Sequence, residues 1–171
     1  MLTVEQIQTL KVLMTNSASK GNLANSGMVF ENGKMLEAAE SLVVTNHDAT
    51  SHSERMLVTK ICNTKNSNYT PGLVMVTVVE PCIMCMSACS QAGYSEIQYI
   101  IPANRYVKKI PWMTDSVLTN KQVLASQFSN PIKLTHLKEY EEEFCITFEK
   151  VMSKFLVKYP QNQLLIQSRK D

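Results

Sequence analysis

Apolar residues recur at helical spacing over residues 3 to 18, at Val4, Ile7, Leu10, Val12, Leu13 and Met14, and Thr3 with Gln6 supplies a capping box at the start. Gly21 and Asn22 break that pattern. Residues 26–30 and 35–45 read as two strands, joined by Glu31-Asn32-Gly33-Lys34, whose Asn-Gly pair favours a tight hairpin. Residues 51–61 suit a helix, and the polar stretch 63–72 a loop ending in Pro71-Gly72. Residues 73–79 form an almost unbroken apolar, largely β-branched run, as expected of a strand covered on both faces. Pro81 fits the first position of a helix reaching about Gln91, Gly93 ends it, and residues 97–101 are a second apolar strand. Strand, helix and strand make a βαβ unit. Pro111 argues against a long helix over 105–116, whereas 115–128 reads as helical and 132–137 as an edge strand. Residues 138–157 form a helix, acidic at its start and basic later, which complements the helix dipole. One domain over 1–158 and a loose tail over 159–171 after Pro160 are expected.

Composition narrows the class. A chain of 171 residues, 44% hydrophobic and 19% charged, can bury a core without disulfides and is not disordered. A net charge of +2 does not suggest broad nucleic-acid binding, though it leaves room for a local basic patch. Five cysteines are an odd number, and two of them, Cys82 and Cys85, form a tight pair. Without an export signal or an apolar run of membrane length, such a pair reads as metal or redox chemistry in a reducing compartment, here the cytoplasm.

The chemistry concentrates in two places. His52-Ser53-Glu54 opens one expected helix, and Pro81-Cys82-Ile83-Met84-Cys85 opens another, so two helix N-termini can converge. Residues three apart share a helix face, and the positive end of a helix stabilises thiolates. Two thiolates and one imidazole, from Cys82, Cys85 and His52, give three ligands to a tetrahedral Zn²⁺ with a fourth position open. Glu54, two residues beyond His52, need not ligate; it suits a general acid and base beside the metal. H-x-E followed by P-C-x-x-C is the pattern of the zinc deaminases.

Other readings of these residues are weaker. Cys82 and Cys85 alone also fit a buried apolar pair or a thioredoxin-like redox motif, but both leave His52 and Glu54 without a role. Cys62, Cys89 and Cys145 read as core thiols, although Cys89 is one turn past Cys85 and would close the site as a fourth ligand. His47 is expected in a loop, His136 in a strand, Met84 and Met86 in packing. Trp112 and Tyr106 are as suited to local packing as to stacking on a base.

Residues 40–45 with Asp48, residues 50–54, and the run Val79-Glu80-Pro81-Cys82-Ile83-Met84-Cys85 with Ala88 resemble the cytidine deaminase-like superfamily. The branch they resemble most contains bacterial guanine and nucleoside deaminases and tRNA adenosine deaminases. The resemblance extends weakly from about residue 1 to 155. It implies a three-layer α/β/α sandwich on a mixed five-stranded sheet, one zinc ion per chain, and a homodimer whose subunits complete each other's sites. It also implies hydrolytic release of ammonia from an amino-substituted base. The stretch 37–45 after the hairpin is more like the guanine or nucleoside group, and a tRNA enzyme is expected to be more basic, so a free purine base or nucleoside is favoured over tRNA. A pocket for cytosine stays open.

Three departures bear on the substrate. Ser41 stands where that branch has an Asn that hydrogen-bonds the base. Ala24-Asn25-Ser26-Gly27 replaces a Pro-Phe-Gly-Ala-like segment that packs on the ring, a contact worth roughly 1–3 kcal/mol per base in comparable cases. Ser53 replaces an Ala. Ser41, Asn25 and Pro81 are therefore the candidate substrate contacts. Either the substrate differs from the family norm or activity is weakened, and a catalytically reduced zinc protein with a binding role is the competing expectation.

Overall fold

The computed structural model describes residues 1–107, 109–110, 113 and 119–167, with side chains through residue 156. Helix α1 (Val4–Ser19) starts at the expected capping box, in which Thr3 and Gln6 bond each other's backbone N–H. Strands β1 (Ser26–Glu31) and β2 (Lys34–Glu40) form an antiparallel hairpin whose turn places both Asn32 and Gly33 at positive φ, as the primed turn requires. Then follow α2 (Ser53–Lys65), β3 (Val74–Val79), α3 (Ile83–Gln91), β4 (Glu96–Ile101), α4 (Lys121–Gln127), β5 (Lys133–His136) and α5 (Lys138–Gln167).

The strands form one sheet in the order β2-β1-β3-β4-β5. Pairs β1–β2 and β1–β3 are antiparallel, while β3–β4 and β4–β5 are parallel. Helices cover both faces. Met28, Val76, Val78 and Ile100 pack with Leu10 and Met14 of α1 and with Phe144 and Phe148 of α5. Their strand neighbours Val29, Met75 and Ile97 pack the opposite way, with Leu57 and Ile61 of α2 and Met86 of α3. The two-residue alternation within each strand thus divides the core into two layers. The fold is the three-layer sandwich on a mixed five-stranded sheet. No helix among the described residues is long and apolar enough to cross a membrane.

Several boundaries differ from the sequence reading. Strand β2 stops at Glu40 rather than 45, because Asn22 Oδ1 accepts the N–H groups of Val44 (2.7 Å) and Thr45 (3.2 Å) and peels the chain into a turn. Helix α2 continues past 61 to Lys65, where Asn66 in the left-handed region ends it. Helix α3 starts at Ile83 with Cys82 as its N-cap, so Pro81 lies before the helix instead of opening it. Helix α4 starts at Lys121, capped by Asn120, and residues 115–118 lie outside the described residues. The backbone of α5 also continues through Pro160 to Gln167, where a loose tail is expected.

Candidate metal centre and active site

The site lies where β3 ends and β1 begins, under the N-termini of α2 and α3. The segment between β2 and α2 is tied into a compact loop. Leu42 N–H donates to Ser51 O (2.9 Å), and the Asp48 carboxylate accepts from Thr50 N, Thr50 Oγ1 and Ser51 Oγ, each at 2.8 Å. The loop delivers His52 as the N-cap of α2, with extended backbone, and Cys82 takes the same position on α3. Neither side chain caps its own helix. They meet instead: His52 Nδ1 is 3.6 Å from Cys82 Sγ and 3.6 Å from Cys85 Sγ, and all three donor atoms lie within 4.8 Å of one another.

That triangle fits zinc. Tetrahedral coordination with Zn–S of about 2.3 Å and Zn–N of about 2.0 Å requires an N···S edge of about 3.6 Å. The thiols are also prepared unequally. Hydrogen bonds from Cys85 and His52 pull Cys82 down to about 4, whereas Cys85, which donates a hydrogen bond to Cys82 and is buried, is pushed well above the usual thiol range. A bound dication stabilises both sulfurs as thiolates. Cys89 is not part of the triangle, and burial raises its thiol.

Glu54 follows on the first turn of α2, only 2% exposed and outside the donor triangle. Burial pushes its carboxyl up, opposed by the charge of His52. Its Oε2 accepts from Ser53 Oγ (2.9 Å) and Asn25 Nδ2 (3.3 Å), and Thr77 Oγ1 lies 3.2 Å from Oε1. His52, Glu54 and Cys82 open onto a cleft of about 500 Å³ walled by Leu23, Val43, Val79, Ala103, Val107 and Met113. Apolar walls around a few convergent polar groups are the usual form of a small-molecule site.

The sequence pattern of the cytidine and deoxycytidylate deaminase zinc-binding region matches residues 4–101, more than half of the chain. The protein belongs to this zinc-type deaminase family. The tRNA-specific adenosine deaminase of Aquifex aeolicus (strain VF5) is 29% identical over 69 residues, 40% of this chain and 46% of that protein; the match spans less than half the length of this relative. Two solved structures share the fold. One comes from studies of A-to-I editing by tRNA:A34 deaminases at the wobble position (TM-score 0.69, 15% identity, 85% of this chain and 99% of that one). The other is the guanine deaminase of Nitrosomonas europaea (TM-score 0.71, 16% identity, 90% and 86%).

Within this deaminase scaffold, Asn25 and Ser41 reach the cleft, but Pro81 is not among its lining residues. Pro81 is buried and offers its carbonyl oxygen to Lys121 Nζ at 2.9 Å. His47 lies in a turn at positive φ, and His136, on β5, stacks on Tyr99 with ring centroids 4.9 Å apart. Tyr106 packs on Phe148 in the core, Met84 lines the cleft, Met86 is buried, and Trp112 lies outside the described residues. Sequence reasoning missed Thr77 and Lys121. Thr77 did leave a signal, since a hydroxyl in the otherwise apolar run 73–79 needs a buried partner. Lys121 left none, because a lone lysine in a polar stretch ordinarily faces water.

Proposed function

We propose that this protein is a zinc-dependent hydrolytic deaminase of an amino-substituted nucleobase, acting on a free purine base or nucleoside of the guanine type in the cytoplasm. The observation that carries the reading is a buried carboxylate, Glu54, beside a three-donor imidazole–thiolate triangle at the floor of a cleft. His52, Cys82 and Cys85 hold the metal, which when bound makes water nucleophilic at neutral pH. Glu54 takes the proton of the attacking water and passes it to a ring nitrogen. It then carries the second proton to the departing amine, so that water and an amino-substituted ring give a ring carbonyl and ammonia. A carboxyl whose affinity for protons is raised by burial suits both directions of transfer.

The cleft favours a small substrate over a polynucleotide. Among its described residues Lys121 is the one lysine or arginine, and it is already bonded to Pro81 O and lies 3.8 Å from Glu80 Oε1. The reading includes one zinc ion per chain and a homodimer, which metal analysis and sedimentation test. The deciding experiment is ammonia release from guanine, guanosine, adenine, cytosine, cytidine and a tRNA anticodon stem-loop, with Glu54→Gln in parallel. Turnover of guanine or guanosine that disappears in Glu54→Gln supports the reading. Turnover of the stem-loop alone overturns the substrate class, and zinc binding without turnover of any compound favours a binding role.

A further inference from the structure

Asn25, directly before β1, has four hydrogen-bonding sites, and a buried group of the fold stands beside each of them. Val79 N–H donates to its Oδ1 at 2.9 Å, and Thr77 Oγ1 lies 3.3 Å from the same oxygen. Its Nδ2 reaches Ser53 Oγ at 3.2 Å and Glu54 Oε2 at 3.3 Å. The amide's orientation is not arbitrary. A backbone N–H can only donate, so the oxygen must face Val79 and the NH₂ must face the carboxylate. Val79 N–H, Ser53 Oγ and Glu54 Oε2 thus take three of the four sites, both amide hydrogens among them.

Ser53 and Ser41 belong to the same network. Ser53 Oγ donates to Glu54 Oε2 at 2.9 Å, and Ser41 Oγ accepts from Ser53 N–H at 3.2 Å. Asn25, Ser41, Ser53 and Thr77 are each at most 4% exposed. Val79 ends β3, three residues before Cys82. Asn25 therefore spans from the strand that delivers both cysteines to the carboxylate on the helix that delivers the imidazole.

From these contacts we infer that Asn25 is a positioning residue for Glu54, assisted by Ser53 and Thr77, and is not a substrate contact. It fixes the carboxylate relative to the cysteine pair. The three positions that depart from the family pattern, Ser41, Asn25 and Ser53, are linked by hydrogen bonds through Ser53. The inference rests on the reading of Glu54 as the proton carrier.

Two measurements on the zinc-loaded protein test it. Asn25→Asp keeps the acceptor for Val79 N–H but replaces the donor facing Glu54 with an acceptor. With the substrate that the ammonia assay identifies, kcat falls about 100-fold, the scale of an ångström-level misplacement, while KM and zinc content hold. A raised KM with kcat preserved makes Asn25 a base contact and overturns the inference. The second measurement needs no turnover. At pH 8, Asn25→Asp lowers the melting temperature more in the parent protein than in the Glu54→Gln background, because the second change relieves the facing carboxylates. Equal losses in both backgrounds show that the two side chains do not touch and overturn the inference. A parent protein inactive on every compound overturns the deaminase reading instead, and the melting cycle then decides the Asn25–Glu54 contact by itself.

Discussion

Lys121 Nζ on α4 donates to the carbonyl oxygen of Pro81, 2.9 Å away and 40 positions back along the chain. That carbonyl is one residue from the metal-facing Cys82. The lysine is 7% exposed, and a charge-assisted bond in such a place is worth more than its surface counterpart. We expect Lys121→Met to leave the fold intact but to cost about 1–3 kcal/mol, since a buried carbonyl loses its donor. The segment before Cys82 loosens with it. Urea unfolding measures the first effect, and faster zinc loss to a chelator measures the second. Unchanged zinc release would show that the contact only fastens α4.

Asp48 organises the loop that presents His52, and its carboxyl is held below the usual carboxylate range by the Thr50 N–H, then by the hydroxyls of Thr50 and Ser51. A depressed folded-state pKa stabilises above the unfolded value, near 3.9, and the stabilisation disappears as pH falls through the folded value. The stability difference between the parent protein and Asp48→Ala is thus constant at neutral pH and shrinks below about pH 4. Denaturation curves at a series of pH values measure it, and a difference persisting unchanged to pH 3 contradicts the assignment.

Cys89 separates a three-donor site from a closed one. It is fully buried in the core with Leu57 and Met86 and is not one of the donors of the His52–Cys82–Cys85 triangle. Cys89→Ala keeps one zinc ion per chain, whereas Cys85→Ala loses it. Elemental analysis of the two purified variants decides. Zinc loss in Cys89→Ala would make the centre four-coordinate and structural.

Gly27 tests how tightly β1 is clasped. A Cβ there would stand 3.0 Å from Val76 O and 3.2 Å from Leu57 Cδ1, so either the sheet or α2 must give way. Gly27→Ala should cost about 1–3 kcal/mol, the usual range for overpacking. Because α2 starts at the site, zinc affinity should fall too; calorimetric melting with and without zinc reads both effects. A neutral substitution would mean that Leu57 swings aside without cost.

Much of this protein was legible before its structure. The His52, Cys82 and Cys85 triangle follows from two short motifs, because both place their donors at helix starts, where geometry is local. The hairpin followed from Asn32-Gly33 for the same reason. The end of β2 was hidden because the side chain that turns it, Asn22, lies about twenty positions upstream. Asn25 was visible as an unusual residue, yet its role depends on Val79 and Glu54, more than fifty and nearly thirty positions away. Pattern reading finds what a segment does with itself; it does not find which distant amide a buried carboxylate chooses.

The strand order carries one last implication, for assembly. His52 leaves the hairpin of β1 and β2, the cysteines leave β3, and β3 pairs on one side with β1 and on the other with β4. The triangle is therefore built neither by the β1–β2 hairpin with its following loop nor by β3 with α3 alone. It forms when β3 inserts at the centre of the sheet, a pairing between residues about fifty positions apart that pays loop-closure entropy before it gains contacts. Metal uptake by the refolding chain should consequently report late, with the central strand, and at saturating metal its rate should be that of the fold itself.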